Sequence, residues 1–245
     1  MDLFAFPPLA ALLDAAHGLF LLLTDALTPI SGGGAAAASV VLVTLIVRAA
    51  LIPVGISQAR AEQTRSRLAP RLRVLQKRFA NQRERLQRET MKLYAQENAS
   101  PLAGCLPMLI QAPVVGLIYA VFLHSTIAGH PNALLAFDLL GVPLGMSATG
   151  AVLNGMLDPV TAAVFGGIVL VLLVVAELTR RAFPVSTLDA SGPAATAMRA
   201  AGVLHYATAV IALFVPLAAA LYLVVTVCWT LVQRIILRRR FPLAT

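Results

Sequence analysis

Four apolar stretches, at about 34–54, 103–124, 159–179 and 201–237, decide what this chain can fold into. About 20 apolar residues in a helix cross the ~30 Å hydrocarbon core of a bilayer, so each of the first three makes one span. The last stretch would run roughly 55 Å as one helix, too long for a single crossing. Pro216 marks a turn within it, which splits it into spans of about 201–216 and 217–237. Of the 245 residues, 59% are hydrophobic and only 12% charged, a balance that no soluble surface carries. The reading is an all-α polytopic membrane protein with a core of five transmembrane helices.

The charges orient it. Apart from Arg48, every Lys and Arg falls in 60–92, 180–199 or 234–240, whereas Asp2, Asp14, Asp25, Asp138 and Asp158 occupy segments free of basic residues. The positive-inside rule then places the basic segments and the C-terminus in the cytoplasm and the N-terminus and the 125–158 loop outside. Residues 1–33 precede the first span. Within them Leu9, Leu12, Leu13, Ala16, Phe20, Leu23 and Leu27 form a broad helical stripe interrupted by Asp14, His17 and Asp25. An external helix lying in the membrane interface fits this pattern, and a sixth span is the alternative. Residues 238–245 make a short basic cytoplasmic tail.

Inside the first apolar run sits Arg48. A guanidinium at bilayer depth costs roughly 2.5–3.5 kcal/mol on insertion scales, so it normally faces protein or a water-filled cavity. Arg48 lies ~20 Å from the start of the run, counting 1.5 Å per residue, and ~10 Å from the other face. Two readings stand: a functional charge inside the membrane, or a side chain that snorkels to the nearer interface.

Residues 58–98 differ from the rest, with eleven basic and four acidic side chains. Leu68, Leu72, Leu75 and Phe79 share one helical face, and Leu86 and Leu93 continue a stripe beyond a break near Asn81. This predicts a cytoplasmic helical hairpin. Its basic surface, including Arg71, Arg73, Arg83, Arg85 and Arg88, suits anionic lipid or ribosomal RNA, with no role for DNA. A solvated linker that only sets topology is the plainer reading.

Enzyme signals are missing: the chain has no phosphate loop, no His-Glu-x-x-His, no Cys-x-x-Cys and no Gly-x-Ser-x-Gly. No cofactor and no metal site is expected. His17, His124, His130 and His205 lack the spacing of metal ligands, and Cys105 and Cys228 read as packing residues. Leu102-Ala103-Gly104-Cys105 looks like a lipoprotein cleavage box, but it lies deep in the chain rather than after a leader, and the Met-Asp-Leu-Phe start lacks a basic signal region. Glu177 can reach Arg180 and Arg181 one turn on. Pro107 and Pro113 loosen the second span and leave Gln111 between them as a polar group in need of a partner.

Met91-Lys92-Leu93-Tyr94 and Pro101-Leu102-Ala103-Gly104-Cys105-Leu106-Pro107-Met108-Leu109-Ile110-Gln111-Ala112-Pro113 closely resemble the junction of hairpin and second span in the YidC family of membrane protein insertases. Thr44, Arg48 and Pro53 resemble that family's first core span; Leu221-Tyr222, Trp229 and Gln233 resemble its last. The resemblance covers about 34–237, and Phe137 to Gly145 looks like the external loop of the shorter, Gram-positive-type members. Some positions depart from the pattern. Ser100 stands for a usual Asn, Leu223 for a usual aromatic, and Ala218 and Val227 for a Gly and an Asn.

The resemblance implies a five-span insertase core in a bacterial plasma membrane, acting as insertase and chaperone without nucleotide hydrolysis. It implies a hydrophilic groove in the inner leaflet, lined by Arg48, Thr44, Gln111 and Tyr222, which receives the polar tail of a nascent membrane protein. Candidate partners are those clients, the Sec translocon, the ribosome and anionic lipid. The tail after Arg238-Arg239-Arg240 is short, so ribosome capture by a long basic tail is not expected. A small secondary transporter binding an anionic solute at Arg48 is the alternative, although no inverted repeat is visible.

Overall fold

The computed structural model describes residues 7–97, 106–183 and 206–242. They form α1 (Pro7–Ser31), α2 (Ala35–Ala50), α3 (Ile52–Arg78), α4 (Arg83–Gln96), α5 (Leu106–Leu123), α6 (Ala148–Leu153), α7 (Pro159–Ala182) and α8 (Leu217–Arg240). Two small ladders, β1 (Thr126–Ile127) with β2 (His130–Pro131) and β3 (Asp138–Leu139) with β4 (Val142–Pro143), lie between α5 and α6. Three helical stretches are long and apolar enough to cross a membrane: Pro7–Ala50, Pro159–Ala182 and Leu217–Arg240. Among the other expected spans, α5 has 18 residues, or ~27 Å, and residues 206–211 are helical before a turn that leads to Pro216. The chain forms two compact units, Met1–Arg48 with Val114–Leu231 and Ala49–Pro113 with Val232–Thr245.

In the first unit, Pro7–Ala50 is not one straight rod. Thr24 Oγ1 lies 3.3 Å from Ser39 Oγ, whereas fifteen residues of continuous helix would separate them by ~22 Å. Gly32, at φ +52°, supplies the left-handed residue that ends α1 and folds the chain back. α1 buries Leu13, Phe20 and Thr24, and the Phe20 ring meets Phe122 edge to face at 5.4 Å. Its exposed Asp14 and Asp25 are eleven residues apart, so they share one edge of the helix, away from that packed face.

The connection from α5 to α7 is ordered by turns and by one amide. Ala128-Gly129 and Leu140-Gly141 all have φ between +49° and +86°, the type I′ geometry that matches hairpin twist. Asn132, 5% exposed, donates Nδ2 to the carbonyls of Val121 (2.5 Å) and His124 (2.9 Å), while its Oδ1 accepts Leu134 N–H. It thereby caps the end of α5, whose last carbonyls have no partner in the helix. The same connection caps α8: Leu217 N–H donates to Met146 O at 2.7 Å and Ala218 N–H to Leu144 O at 3.1 Å. At the start of α7, Asp158 accepts Thr161 N–H, which holds its carboxyl below the usual range, and Pro159 occupies the first turn where no donor is missed.

The apolar run expected as one span to residue 54 is interrupted at Leu51, and α3 begins at Ile52 with Pro53 in its first turn. Proline tolerates the first turn of a helix but not its interior, so the run is shared between two helices. α3 ends at Arg78 and α4 begins at Arg83, bracketing the expected break near Asn81. Leu68 and Leu93 are buried, and Leu72, Leu75, Phe79 and Leu86 are partly covered, as the stripe requires. Arg67 and Arg71 reach Glu97 at 3.1 and 2.7 Å across the hairpin. The end of α8 runs parallel to the start of α3. Glu62 accepts from Arg234 (3.0 Å) and Arg238 (3.1 Å), Gln63 Nε2 donates to Pro242 O, and Arg60 lies over the Phe241 ring. Gly55 permits this approach, since a Cβ there would collide with the Gln233 amide.

Candidate functional site: an arginine on the packed face of a membrane helix

α2 buries Ala36, Val40, Val43 and Thr44 and turns Leu45 and Ile46 outward. Residues 36, 40, 44 and 48 follow the i, i+4 row of a helix, so Arg48 leaves from the packed face and not from the lipid-facing one. Its side chain is half-buried. The guanidinium lies beside the side chain of Tyr222 on α8, a residue only 4% exposed. The ion pairs among the described residues join Glu97, Glu177 and Glu62 to other arginines, and none includes Arg48. A phenol oxygen can satisfy only part of the five guanidinium donors, so the remainder suit water or an anionic group.

Ala218, Ala219 and Ala220 lie just before Tyr222 on α8 and are all buried. Small side chains there let neighbouring backbone approach closely. Ala218, which departs from the family pattern, is fully buried, and Leu223 and Val227 pack partly against the core. Their apolar character therefore serves packing. Thr226, one turn beyond Tyr222, was not evident from sequence. Its hydroxyl oxygen is buried with no partner among the described residues, and its only signal was the i, i+4 spacing from Tyr222.

Of the other expected groove residues, Thr44 has a described side chain and Gln111 does not. Thr44 is on the face of Arg48, but it is fully buried and its hydroxyl donates to Val40 O at 2.6 Å. A back-bonded threonine of this kind satisfies itself within the helix and tends to bend it. Gln111 belongs to α5, and its side chain lies outside the described residues, as do residues 98–105 with most of the proline-rich junction.

The five hairpin arginines divide. Arg71 is tied to Glu97, and Arg73 is exposed on α3. Arg83, Arg85 and Arg88 gather at the turn, where with Ala80, Asn81, Gln82 and Glu84 they line an open concavity of about 740 Å³. Arg85 donates to Gln82 Oε1 at 3.1 Å. Three exposed cations against one carboxylate make this the anion-attracting end of the hairpin.

Two acidic anchors went beyond what spacing could show. Glu177 meets Arg180 and Arg181 as expected, but it also accepts the Tyr206 hydroxyl at 2.6 Å, which ties α7 to the segment at 206–211. Glu62 binds Arg234 and Arg238, whose i, i+4 spacing was visible while their partner 172 and 176 residues away was not.

Residues 27–244 match the sequence model of the 60Kd inner membrane protein family. The chain is 44% identical over 85 residues to the membrane protein insertase YidC of Clostridium perfringens, a match covering 35% of this chain and 36% of that protein. It is 36% identical over 95 residues to the insertase YidC of Oceanobacillus iheyensis, covering 37% of this chain and 38% of that one. With the chloroplastic inner membrane protein ALBINO3 of Arabidopsis thaliana the identity is 37% over 109 residues, 44% of this chain and 24% of the relative. The chain thus spans little more than a third of the length of the two bacterial relatives in these matches. With nine-tenths of its residues inside the family model, the chain belongs to the 60Kd inner membrane protein family, the family of the YidC insertases.

Proposed function

We propose that this protein inserts nascent membrane proteins into a bacterial plasma membrane and helps them fold. The observation that carries this reading is Arg48: a cation on the packed face of a membrane helix, beside Tyr222 and paired with no carboxylate among the described residues. Curated relatives named as insertases support it. A client's short polar tail enters a wet groove beside Arg48, and the guanidinium attracts its carboxylates. The apolar segment then partitions into lipid. Moving unsatisfied polar groups through hydrocarbon costs several kcal/mol each, so a hydrated, positively charged path lowers the barrier. Burial of the client's apolar segment drives completion, and no nucleotide is required.

The test is reconstitution. Purified protein in vesicles free of nucleotide should protect the translocated tail of a single-span, acidic-tailed client from added protease, well above protein-free vesicles. Equal protection in both would refute insertion by this chain.

The orientation has the N-terminus and the 125–158 connection outside and the hairpin in the cytoplasm. α1 lies in the outer interface, where the edge carrying Asp14 and Asp25 meets water along its length. The turn cluster of Arg83, Arg85 and Arg88 faces an anionic partner, ribosomal RNA or lipid headgroups. With Cys105 and Cys228 replaced, Asn81→Cys at this turn should react with an impermeant thiol reagent in inside-out vesicles and not in right-side-out ones. Added ribosomes should slow that reaction at low salt if RNA is the partner; anionic lipid in the vesicles should slow it without ribosomes if lipid is. Reaction from the outside overturns the orientation, and a rate insensitive to both additions and to salt leaves the hairpin as a topology signal only.

A further inference from the structure

Between α6 and α7 lies a run of large apolar side chains that the fold does not use. Val152 is 59% exposed, Leu153 85%, Met156 56% and Leu157 50%, and Val160 at the start of α7 continues the surface. The packed side of α6 is different: Ala148 and Ala151 are buried there. Backbone needs do not explain the exposed residues either. Gly155, at φ +65°, donates to Val152 O, and Met156 N–H donates to Ala151 O, a paired closure of the helix end that any side chains at 152, 153, 156 and 157 would permit. Exposed apolar surface of this size, with no structural reason, marks contact with another phase or molecule.

The position of α7 says which. α7 is ~36 Å long and carries Arg180 and Arg181 in its last turn, so ~30 Å of hydrocarbon above those arginines reaches back to about Pro159. Residues 152–157 therefore stand at the opposite edge of the bilayer, continuous with the lipid-facing side of α7. No Lys or Arg occurs anywhere in 125–158, so attraction to anionic headgroups is not what holds them. We infer that the turn from Val152 to Leu157 is immersed in the leaflet at the N-terminal end of α7, with Leu153 and Met156 among the upper acyl chains. The immersed turn acts as a shallow anchor that fixes the depth at which α7 enters the membrane.

Tryptophan placed in the turn reads its surroundings. Leu153→Trp and, separately, Met156→Trp are made in a Trp229→Phe background and reconstituted into phosphatidylcholine vesicles at low protein density, with Asn81→Trp as the water-exposed control. Where the background variant fails to fold, the difference spectrum against the parent chain gives the same reading. Immersion predicts blue-shifted emission at both positions and quenching by lipids brominated near the headgroup end of the chain, stronger than by lipids brominated near the methyl end. Emission as red as the control places the turn in water and overturns the proposal. Blue-shifted emission that no bromolipid quenches shows the turn covered by protein, a second copy included, and overturns it equally.

Discussion

Arg48→Ala should reduce insertion of an acidic-tailed client by roughly tenfold to a hundredfold, because a hydrogen bond to a charged group contributes about 1.5–3 kcal/mol. The readout is the protease-protected tail in reconstituted vesicles. Arg48→Lys should keep part of the activity, since the charge remains while the planar fork that can grip a carboxylate from two nitrogens is lost. Tyr222→Phe should lie between the parent and Arg48→Ala. It leaves the cation but removes the phenol oxygen beside it. A client with a neutral tail should be hardly affected by any of the three. If Arg48→Ala inserts the acidic client as well as the parent does, the attraction mechanism fails, and the packed-face arginine is a structural charge alone.

Asn132→Ala is expected to be the most destabilising single change outside the helices. It strips partners from the carbonyls of Val121 and His124 and from Leu134 N–H, all at a site that is 5% exposed. Leaving a buried polar group unsatisfied costs about 1–3 kcal/mol, and relaxation recovers part of the total, so a loss of about 3 kcal/mol is expected. At roughly 2–4 °C per kcal/mol for a chain of this size, the Tm in detergent should fall by about 6–12 °C. Asn132→Asp should be no better, because it loses both donations and sets a carboxylate against two carbonyl oxygens. Asn154→Ala, at an exposed position in the following turn, serves as the control and should leave the Tm within about 1 °C. A Tm for Asn132→Ala equal to that of the parent would show that the amide is not what closes the end of α5.

Much of the fold was legible because it depends on period and composition. The hairpin stripe from Leu68 to Leu93 is a 3.6-residue pattern, and it is the covered face. The halt before Pro216 and the restart at Leu217 follow from a residue that cannot continue a helix. Where local chemistry competes with hydropathy, the helix boundary follows the local chemistry. The run expected to end at Val54 gives way at Leu51, because Pro53 is better placed to open a helix than to lie inside one. Thr44 shares the face of Arg48 as its spacing requires, yet spacing could not show that its hydroxyl would turn to Val40 O and be sealed from solvent.

The sequence by itself determined the class of solvent, the helical character and the presence of one costly cation within an apolar helix. These follow from transfer free energies and from periodicity, which are properties of residues near one another in the chain. Only the tertiary structure decided what each polar group meets: Arg48 with Tyr222, Glu62 with Arg234 and Arg238, Glu177 with Tyr206, Asn132 with the end of α5. Hydrogen bonds require two atoms within about 3 Å at a suitable angle. For groups 172 residues apart, as Glu62 and Arg234 are, that coincidence is set by how helices pack, and no local pattern encodes it.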